Sequence, residues 1–303
     1  MMKIKNESRH VKITGSDRIF HGAVAVILTA FLLLVLYPLI YVLSSSFSSG
    51  NAVTSGRVML WPVEFSLNGY QIVFANNSVW TGYMNTIFYT VVGTLINLSL
   101  TVLTAYPLSR KTFQGRKFFT IIFMIPMFFG GGLVPTYVLM SNLGLTNTRT
   151  VILLSGAISI YNMVLMRTFF QNSIPNELLE SAKIDGISDV GYLVRIVLPL
   201  SKAIISVITL YYVVGHWNSY FTPLIYLRSR EFYPLQLILR EILNASKVDA
   251  TQIQDSAILA KLAGSADVMK YSLIVVATVP VLVIYPFIQK FFEKGVMIGS
   301  VKG

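Results

Sequence analysis

The 303-residue sequence contains no cysteine and only three histidines. The absence of cysteine excludes disulfide bonds, thiol catalysis and cysteine-ligated metal sites. The histidines, His10, His21 and His216, are too scattered along the chain to predict a metal cluster. We therefore expect the chain to bind no metal ion.

Charged residues are also scarce. They make up 12% of the chain, whereas a soluble domain usually carries about 25%. Hydrophobic residues make up 54%, and the mean hydropathy is +0.66. This balance excludes a disordered chain, a soluble enzyme domain and a coiled coil. It indicates an integral membrane protein with room for about six helices of about 20 residues each.

Six stretches without charged residues predict six transmembrane helices, because a charge at the bilayer centre costs about 2.5 to 3.5 kcal/mol. The fold class is therefore all-α and polytopic. The first stretch could instead be a signal peptide, but its apolar run is longer than a signal sequence needs and no Ala-x-Ala site follows. The first three predicted spans lie at 23–43, 86–108 and 118–140, and the other three lie between the charged residues Arg149 and Arg167, Lys202 and Arg228, and Lys270 and Lys290.

Lysine and arginine residues are distributed asymmetrically around these spans. Most of the 24 fall in the two terminal tails and in the connections after the second and fourth spans. The positive-inside rule makes these segments cytoplasmic, so both termini are predicted to lie in the cytoplasm. The net charge of +11 then reflects topology, and we expect no nucleic acid as a partner.

The predicted spans contain no Asp, Glu, Lys or Arg, which argues against an ion-coupled secondary transporter. There is no Gly-x-x-x-x-Gly-Lys-Ser/Thr loop to bind ATP, and no Ser/His/Asp arrangement is suitable for a hydrolytic triad in the membrane. We therefore expect no catalytic residue, and a membrane enzyme is disfavoured. Energy for active transport must come from another polypeptide. A passive six-helix membrane channel remains the alternative.

The connection between the fourth and fifth spans, residues 172–200, carries the most informative pattern. Pro175 and Glu177 suit the first turn of a helix, and Gly186 suits the left-handed position that ends one. Ser188 then caps a second helix, which ends near Pro199. The apolar residues of the first helix recur at helical spacing; they are Leu178, Leu179 and Ala182. The element either docks a cytoplasmic partner or lies on the inner leaflet.

The same connection carries a long gapped motif. Glu180-Ser181-Ala182-x-x-x-Gly186, followed after nine residues by Ile196-x-Leu198-Pro199, resembles the EAA motif of ABC importer permeases. Ser181 replaces the first alanine of that motif, which exchanges one small residue for another.

Two further stretches resemble a narrower group. Residues 289–303 look like the C-terminus of maltose-transporter-type sugar permeases, and residues 129–135 and 285–287 look like the branch that imports complex oligosaccharides. The resemblance implies a cytoplasmic tail at 1–18, a first helix and outer loop at 19–81, a permease domain at 82–292 and a cytoplasmic tail at 293–303.

The resemblance implies a multi-pass permease of the bacterial cell membrane. It would form a heterodimer with a second homologous permease above two ATPase subunits, and an extracellular or periplasmic sugar-binding (lipo)protein would supply an oligosaccharide. ATP and Mg²⁺ would be bound by the partner ATPase, and this chain would bind no cofactor. The helix at 175–185 would be the coupling helix. The residues implied in ATPase coupling are Glu177, Glu180, Ser181, Ala182, Asp185, Gly186, Ile196, Leu198 and Pro199.

A sugar pathway requires aromatic faces and polar groups that match hydroxyls. The candidates in or beside the predicted spans are Tyr137, Tyr161, Asn162, His216, Trp217, Asn218 and Tyr220. Such side chains also commonly pack inside a helix bundle or form the interfacial aromatic belt. Acidic oligosaccharides are an attractive substrate class by resemblance, although no basic residue lines the predicted spans.

The third predicted span contains three consecutive glycines, Gly130, Gly131 and Gly132. Each weakens a helix by about 1 kcal/mol relative to alanine. We expect them to permit either a close approach of two helices or a bend during gating.

Overall fold

The structure is a computed structural model that describes residues 15–245, 264–283 and 286. No β-strand occurs in this part of the chain. The helices are α1 (Gly15–Ser46), α2 (Gly50–Thr54), α3 (Asn68–Ala75), α4 (Asn77–Ser109), α5 (Arg116–Phe128), α6 (Leu133–Asn142), α7 (Arg149–Leu154), α8 (Ile160–Ser173), α9 (Asn176–Ile184), α10 (Asp189–Tyr192), α11 (Leu198–Leu200), α12 (Lys202–Trp217), α13 (Phe221–Tyr226), α14 (Leu235–Ala245) and α15 (Gly264–Val283). A π-helical turn (Leu193–Val197) joins α10 to α11, and Arg230–Phe232 form a 3₁₀ turn.

The chain divides into two compact units. One comprises Met1–Gly69 with Thr251–Ser272, and the other comprises Tyr70–Ala250 with Leu273–Gly303. In the first unit, α1 exposes apolar side chains along nearly its whole length, as expected of a helix surrounded by lipid. Its C-terminal end is held more closely, because Ser44 Oγ donates to the carbonyl of Leu60 at 2.7 Å. A small core of Ala52, Val53, Val58 and Val268 lies beside that end.

The second unit is built around α4, which packs against α8, α12 and α14. At 1.5 Å per residue its 33 residues extend about 50 Å, enough to cross a bilayer with several turns to spare. The main core lies toward the C-terminal end of α4, where Phe170, Tyr192 and Ile208 are completely buried. This core anchors the segment that carries the gapped motif.

Within the described residues, three single helices are long and apolar enough to cross a membrane, and the count rises to five if each of two bent pairs is taken as one span. The single helices are Asp17–Ser46, Asn77–Ser109 and Gly264–Val283. The bent pairs are Arg116–Phe128 with Leu133–Asn142, at 115°, and Asp189–Leu200 with Lys202–Trp217, at 84°. An all-α membrane fold is thereby confirmed, while the six-span count and the cytoplasmic placement of the termini stay predictions.

The third, fourth and fifth predicted spans are each interrupted in the structure. The third is broken between α5 and α6, because residues 129–132 are not helical and Gly132 has a φ of +85°. The fourth is also divided, since α7 ends at Leu154 and α8 begins only at Ile160, where the side chain of Ser159 caps the new helix. The fifth is divided because α12 ends at Trp217 and α13 begins at Phe221. The last helix begins at Gly264, ahead of the predicted start at Lys270.

The sequence also predicts three short helices outside the spans: one capped near Ser66, one opened by Pro234 that runs to about Asn244, and one near 251–262. The helix expected after Ser66 is α3, and the helix expected from Pro234 to Asn244 is α14. The helix expected near 251–262 and the C-terminal stretch 289–303 lie outside the described residues.

Candidate functional site

The motif-bearing segment folds as the predicted helix–glycine–helix element. Two bonds close the end of α9: the N–H of Gly186 donates to the carbonyl of Lys183 at 3.1 Å, and the N–H of Ile187 donates to that of Ala182 at 2.9 Å. This is the Schellman arrangement, and it needs the left-handed φ of +73° that Gly186 adopts. Ser188 then caps α10 by accepting from the N–H of Gly191.

One side of this segment is fixed to the main core. Ala182 is buried, while Leu179, Ile196 and Leu198 pack against the core from partly buried positions. The other side is open, since Glu177, Glu180, Ser181, Asp185, Gly186 and Pro199 are all exposed. Residues 176–186 therefore expose three carboxylates and the ammonium group of Lys183, while the other side of the segment packs on the main core.

The open side also carries large apolar side chains. Leu178 is 38% exposed, Val190 is 71% exposed and Ile184 is 87% exposed. Large exposed apolar groups on an otherwise charged segment are typical of a surface that another protein or a membrane covers.

A polar stripe runs along the buried face of α4. Its members recur at helical spacing: Thr86, Thr90, Thr94, Asn97 and Thr101. Among the described residues, the side-chain oxygens of Thr90, Thr94 and Asn97 have no hydrogen-bond partner. Buried polar groups without partners are unfavourable by about 1 to 3 kcal/mol each, so such a row indicates a place that water or a polar ligand occupies.

A cavity of about 190 Å³ opens beside this stripe. Asn97 faces it from α4, and Tyr211, Tyr212 and His216 face it from α12. The remaining lining residues are Ile152, Ser155, Gly156, Gly215, Ser219 and Thr222. The lining thus combines hydroxyl, amide and imidazole groups with two tyrosine rings, which are the kinds of group that contact a sugar.

The pathway candidates from the sequence are only partly brought together. His216 lies on the cavity, whereas Trp217 is 5% exposed and donates from Nε1 to the carbonyl of Ala277 at 3.1 Å. Asn162 is buried, and Tyr161 and Tyr220 are exposed away from the cavity lining. Asn218 is exposed and donates to the carbonyl of Val214, and Tyr137 stacks on Tyr226.

The three glycines form the bend between α5 and α6. A Cβ atom placed on Gly130 or Gly131 would meet no described atom within 4 Å, so no close helix approach is seen there. The structure shows a static bend at these glycines, and a role in gating stays a prediction.

Sequence reasoning missed the α4 stripe because it searched the spans for charges and aromatic rings. The signal was available, since threonine and asparagine recur three or four residues apart from Thr86 to Thr101. It also missed Gly93, which lies within this stripe: a Cβ there would come within 2.5 Å of the His216 imidazole.

Comparison with known proteins agrees with these features. The family described as "Binding-protein-dependent transport system inner membrane component" matches residues 16–298. The chain is 38% identical over 290 residues to the polygalacturonan/rhamnogalacturonan transport system permease protein YtcP of Bacillus subtilis (strain 168), covering 95% of this chain and 99% of that protein. It is 28% identical over 274 residues to the arabinooligosaccharides transport system permease protein AraQ of Halalkalibacterium halodurans, covering 88% and 91%.

A solved structure is similar as well. It is described as a bacterial ABC transporter involved in the import of the acidic polysaccharide alginate, and one of its chains matches with a TM-score of 0.84 and 38% sequence identity. The match covers 92% of this chain and 98% of that one. The chain therefore belongs to the family of binding-protein-dependent inner membrane components, the permease subunits of ABC importers for sugars and oligosaccharides, and it is a transport subunit rather than an enzyme.

Proposed function

We propose that this chain supplies one half of the translocation pathway of a bacterial cell-membrane importer for acidic oligosaccharides. A second homologous permease supplies the other half, two ATPase subunits bind ATP and Mg²⁺, and an extracellular sugar-binding protein delivers the substrate. This chain itself holds no cofactor. Its role is to convert closure of the ATPase pair into movement of the helices that line the pathway.

The observation that carries the coupling role is the two-sided character of α9. One side is fixed in the main core through Ala182, while Glu180 and Ile184 project outward with nothing described covering them. When the ATPase moves a helix that is attached in this way, the helix moves the core with it instead of deforming locally. Glu180 offers its carboxylate to a basic residue of the ATPase, and Ile184 offers apolar area.

The pathway role rests on the cavity beside α4. The unpartnered oxygen of Asn97 and the His216 imidazole give hydrogen-bonding groups at the depth of a membrane-crossing helix. A passing sugar hydroxyl, or the water that accompanies it, satisfies these groups for as long as it stays. The volume of about 190 Å³ holds about one pyranose ring, so this chain forms a wall of the pathway that the second permease completes.

The substrate class is supported by the relatives. Polygalacturonan, in the name of one, and alginate, in the description of the similar structure, are acidic polymers. Other relatives are named for neutral arabinooligosaccharides but are less similar, at 28% identity. We therefore favour oligosaccharides that bear carboxylates.

The coupling role is tested by reversing one charge in the complete reconstituted importer. Glu180→Lys should abolish the stimulation of ATP hydrolysis by loaded binding protein, because the substituted side chain repels a basic partner. Glu231→Lys, a reversal at an exposed site outside the coupling segment, should leave the stimulation within twofold of wild type. Normal ATP-driven uptake by Glu180→Lys would contradict the proposal.

A second measurement addresses a passive channel. The chain reconstituted alone in liposomes should conduct neither ions nor sugars, because half of a pathway does not enclose a pore. Sustained flux from the isolated chain would favour the channel instead.

A further inference from the structure

We propose that Arg228, together with Tyr137, forms a binding site for the carboxylate of an acidic sugar at the outer end of the second unit. The inference rests on the proposed import of acidic oligosaccharides and names the group that recognises their charge. Arg228 lies between α13 and α14, and it is not one of the pathway residues predicted from the sequence.

The position of Arg228 follows from α4. Near one end of this helix, Asn85 donates to the carbonyls of Glu231 and Tyr233, at 2.7 and 3.1 Å. Near the other end, the carbonyl of Leu108 accepts from Arg167 at 3.1 Å, beside the core that anchors α9. Asn85 and Leu108 are about 35 Å apart along the helix, close to the thickness of the hydrocarbon core of a bilayer. If α9 faces the ATPase, the segment around Arg228 faces the side from which substrate arrives.

The backbone at Arg228 is held in place by Asn147. The side-chain oxygen of Asn147 accepts from the N–H groups of Arg228 and Ser229, at 2.9 and 2.8 Å. Its amide nitrogen donates to Ser229 Oγ at 2.8 Å, and its own N–H donates to the carbonyl of Tyr226, also at 2.8 Å. Asn147 has a φ of +58°, a conformation that asparagine tolerates better than most residues. The loop is therefore fixed before any ligand arrives.

An aromatic pair lies directly beside the guanidinium. The rings of Tyr137 and Tyr226 stack with centroids 5.8 Å apart and planes inclined by 15°. One guanidinium nitrogen of Arg228 donates to the hydroxyl of Tyr137 at 3.4 Å. A guanidinium has five N–H groups. This weak bond therefore leaves two parallel N–H groups free to bind a carboxylate.

The adjacent cavity gives room for a sugar. Its volume is about 600 Å³, and its lining residues are Arg228, Arg230, Tyr233, Glu241, Ile242 and Asn244. Arg230 pairs with Glu241 at 3.0 Å, so these two charges largely cancel. Among the residues described in this lining, Arg228 is then the cation without a carboxylate partner, which gives the cavity a net positive charge. A neutral sugar gains nothing from that charge, whereas a uronate gains a charge-assisted pair.

The test compares an acidic and a neutral substrate in the complete importer. Uptake is measured with trigalacturonate and with its carboxyl-reduced, neutral counterpart, each at a saturating concentration of loaded binding protein. Arg228→Gln should lower the initial rate of trigalacturonate uptake about tenfold, and Arg228→Lys should restore part of it. Arg57→Gln serves as the matched control and should change the rate less than threefold, because Arg57 pairs with Glu64 and does not line this cavity. Stimulated ATP hydrolysis with any substrate that is still carried reports that the variants remain folded.

The outcomes separate this site from the proposed substrate class. If wild type imports trigalacturonate and Arg228→Gln imports it equally well, or loses the acidic and neutral substrates in parallel, the Arg228 site is wrong while the substrate class stands. If wild type imports only the neutral trisaccharide, the substrate class fails and the site fails with it. Selective loss of the acidic substrate supports both.

Discussion

Arg110, the residue that follows α4, donates a hydrogen bond from Nη2 to the carbonyl oxygen of Phe170 at 3.3 Å. The bond joins the end of α4 to the end of α8, just before α9, the proposed coupling helix, begins. The Arg110 side chain is only 7% exposed, and its guanidinium also lies 5.9 Å from the ring centroid of Tyr192 in α10. One cation therefore contacts the elements on both sides of α9.

We expect Arg110→Ala to uncouple transport by loosening the base of α9. A hydrogen bond to a charged group contributes about 1.5 to 3 kcal/mol, and its loss should lower the thermal stability of the purified complex. Stimulation of ATP hydrolysis by loaded binding protein should fall severalfold while the subunits still assemble. Lys111→Ala is the matched control, because Lys111 is exposed. Equal behaviour of the two variants would show that Arg110 has no positioning role.

The coupling segment was predictable because its determinants are local. The proline start, the serine cap and the glycine that ends α9 each act within five residues of their partners, as the bond from Ile187 to Ala182 shows. Such signals can be recognised from neighbouring residues in the sequence without knowledge of tertiary contacts.

The proposed Arg228 site was not predictable in the same way. Asn147 and Arg228 are far apart in sequence, and nothing in the residues near either one indicates that they meet. Arg110 was interpreted only as a topological charge, since burial of an arginine depends on carbonyls and rings supplied by other helices. The bend at Gly130–Gly132 lies between these cases: the glycines signal weakness of the helix, but the 115° angle depends on how α5 and α6 pack.

Gly93 allows α4 and α12 to pack closely at His216. A Cβ at position 93 would lie 2.5 Å from Cε1 and Nε2 of the imidazole. We expect Gly93→Ala to destabilise the protein by about 1 to 3 kcal/mol, as overpacking does, although alanine is the better helix former. Gly215→Ala is the control, because a Cβ there meets nothing within 4 Å. Unfolding in detergent, followed by tryptophan fluorescence, measures both.

A double variant separates the contact from other effects of the substitution. Gly93→Ala with His216→Ala should regain most of the lost stability, because the clashing ring is gone. If the double variant is as unstable as the sum of the two single variants, the contact is not the cause.

Gly186 should be required for its backbone conformation alone. A Cβ at this position meets no atom within 4 Å, but the φ of +73° strains any residue with a side chain, by about 1 to 2 kcal/mol. Gly186→Ala should therefore weaken the end of α9 and reduce stimulated ATP hydrolysis, while Gly186→Asn should be closer to wild type because asparagine adopts this conformation more readily. Equal loss in both variants would point to a steric contact with the ATPase instead.

Glu64 joins two parts of the loop that follows α1. Its carboxylate accepts a hydrogen bond from Ser49 Oγ, and its Oε1 lies 2.8 Å from Nη2 of Arg57. The hydrogen bond from Ser49, and then that from Arg57, hold the pKa of Glu64 below its ordinary value. Protonation therefore occurs more readily when the loop is open than when it is formed. The contribution of Glu64 to loop stability is present above the ordinary glutamate pKa of about 4.3 and is lost as the pH falls through the lowered value.

We expect hydrogen–deuterium exchange to show this dependence in residues 48–66. Protection, corrected for the intrinsic rate at each pH, should stay constant from about pH 7 to 5 and decline below about pH 4. Glu64→Gln should lower protection at pH 7 and remove the decline, because a neutral amide pairs weakly with Arg57 at every pH. Glu231→Gln, which removes an exposed carboxylate elsewhere, should keep the wild-type profile in these residues. Retention of the acidic decline in Glu64→Gln would assign it to another carboxylate.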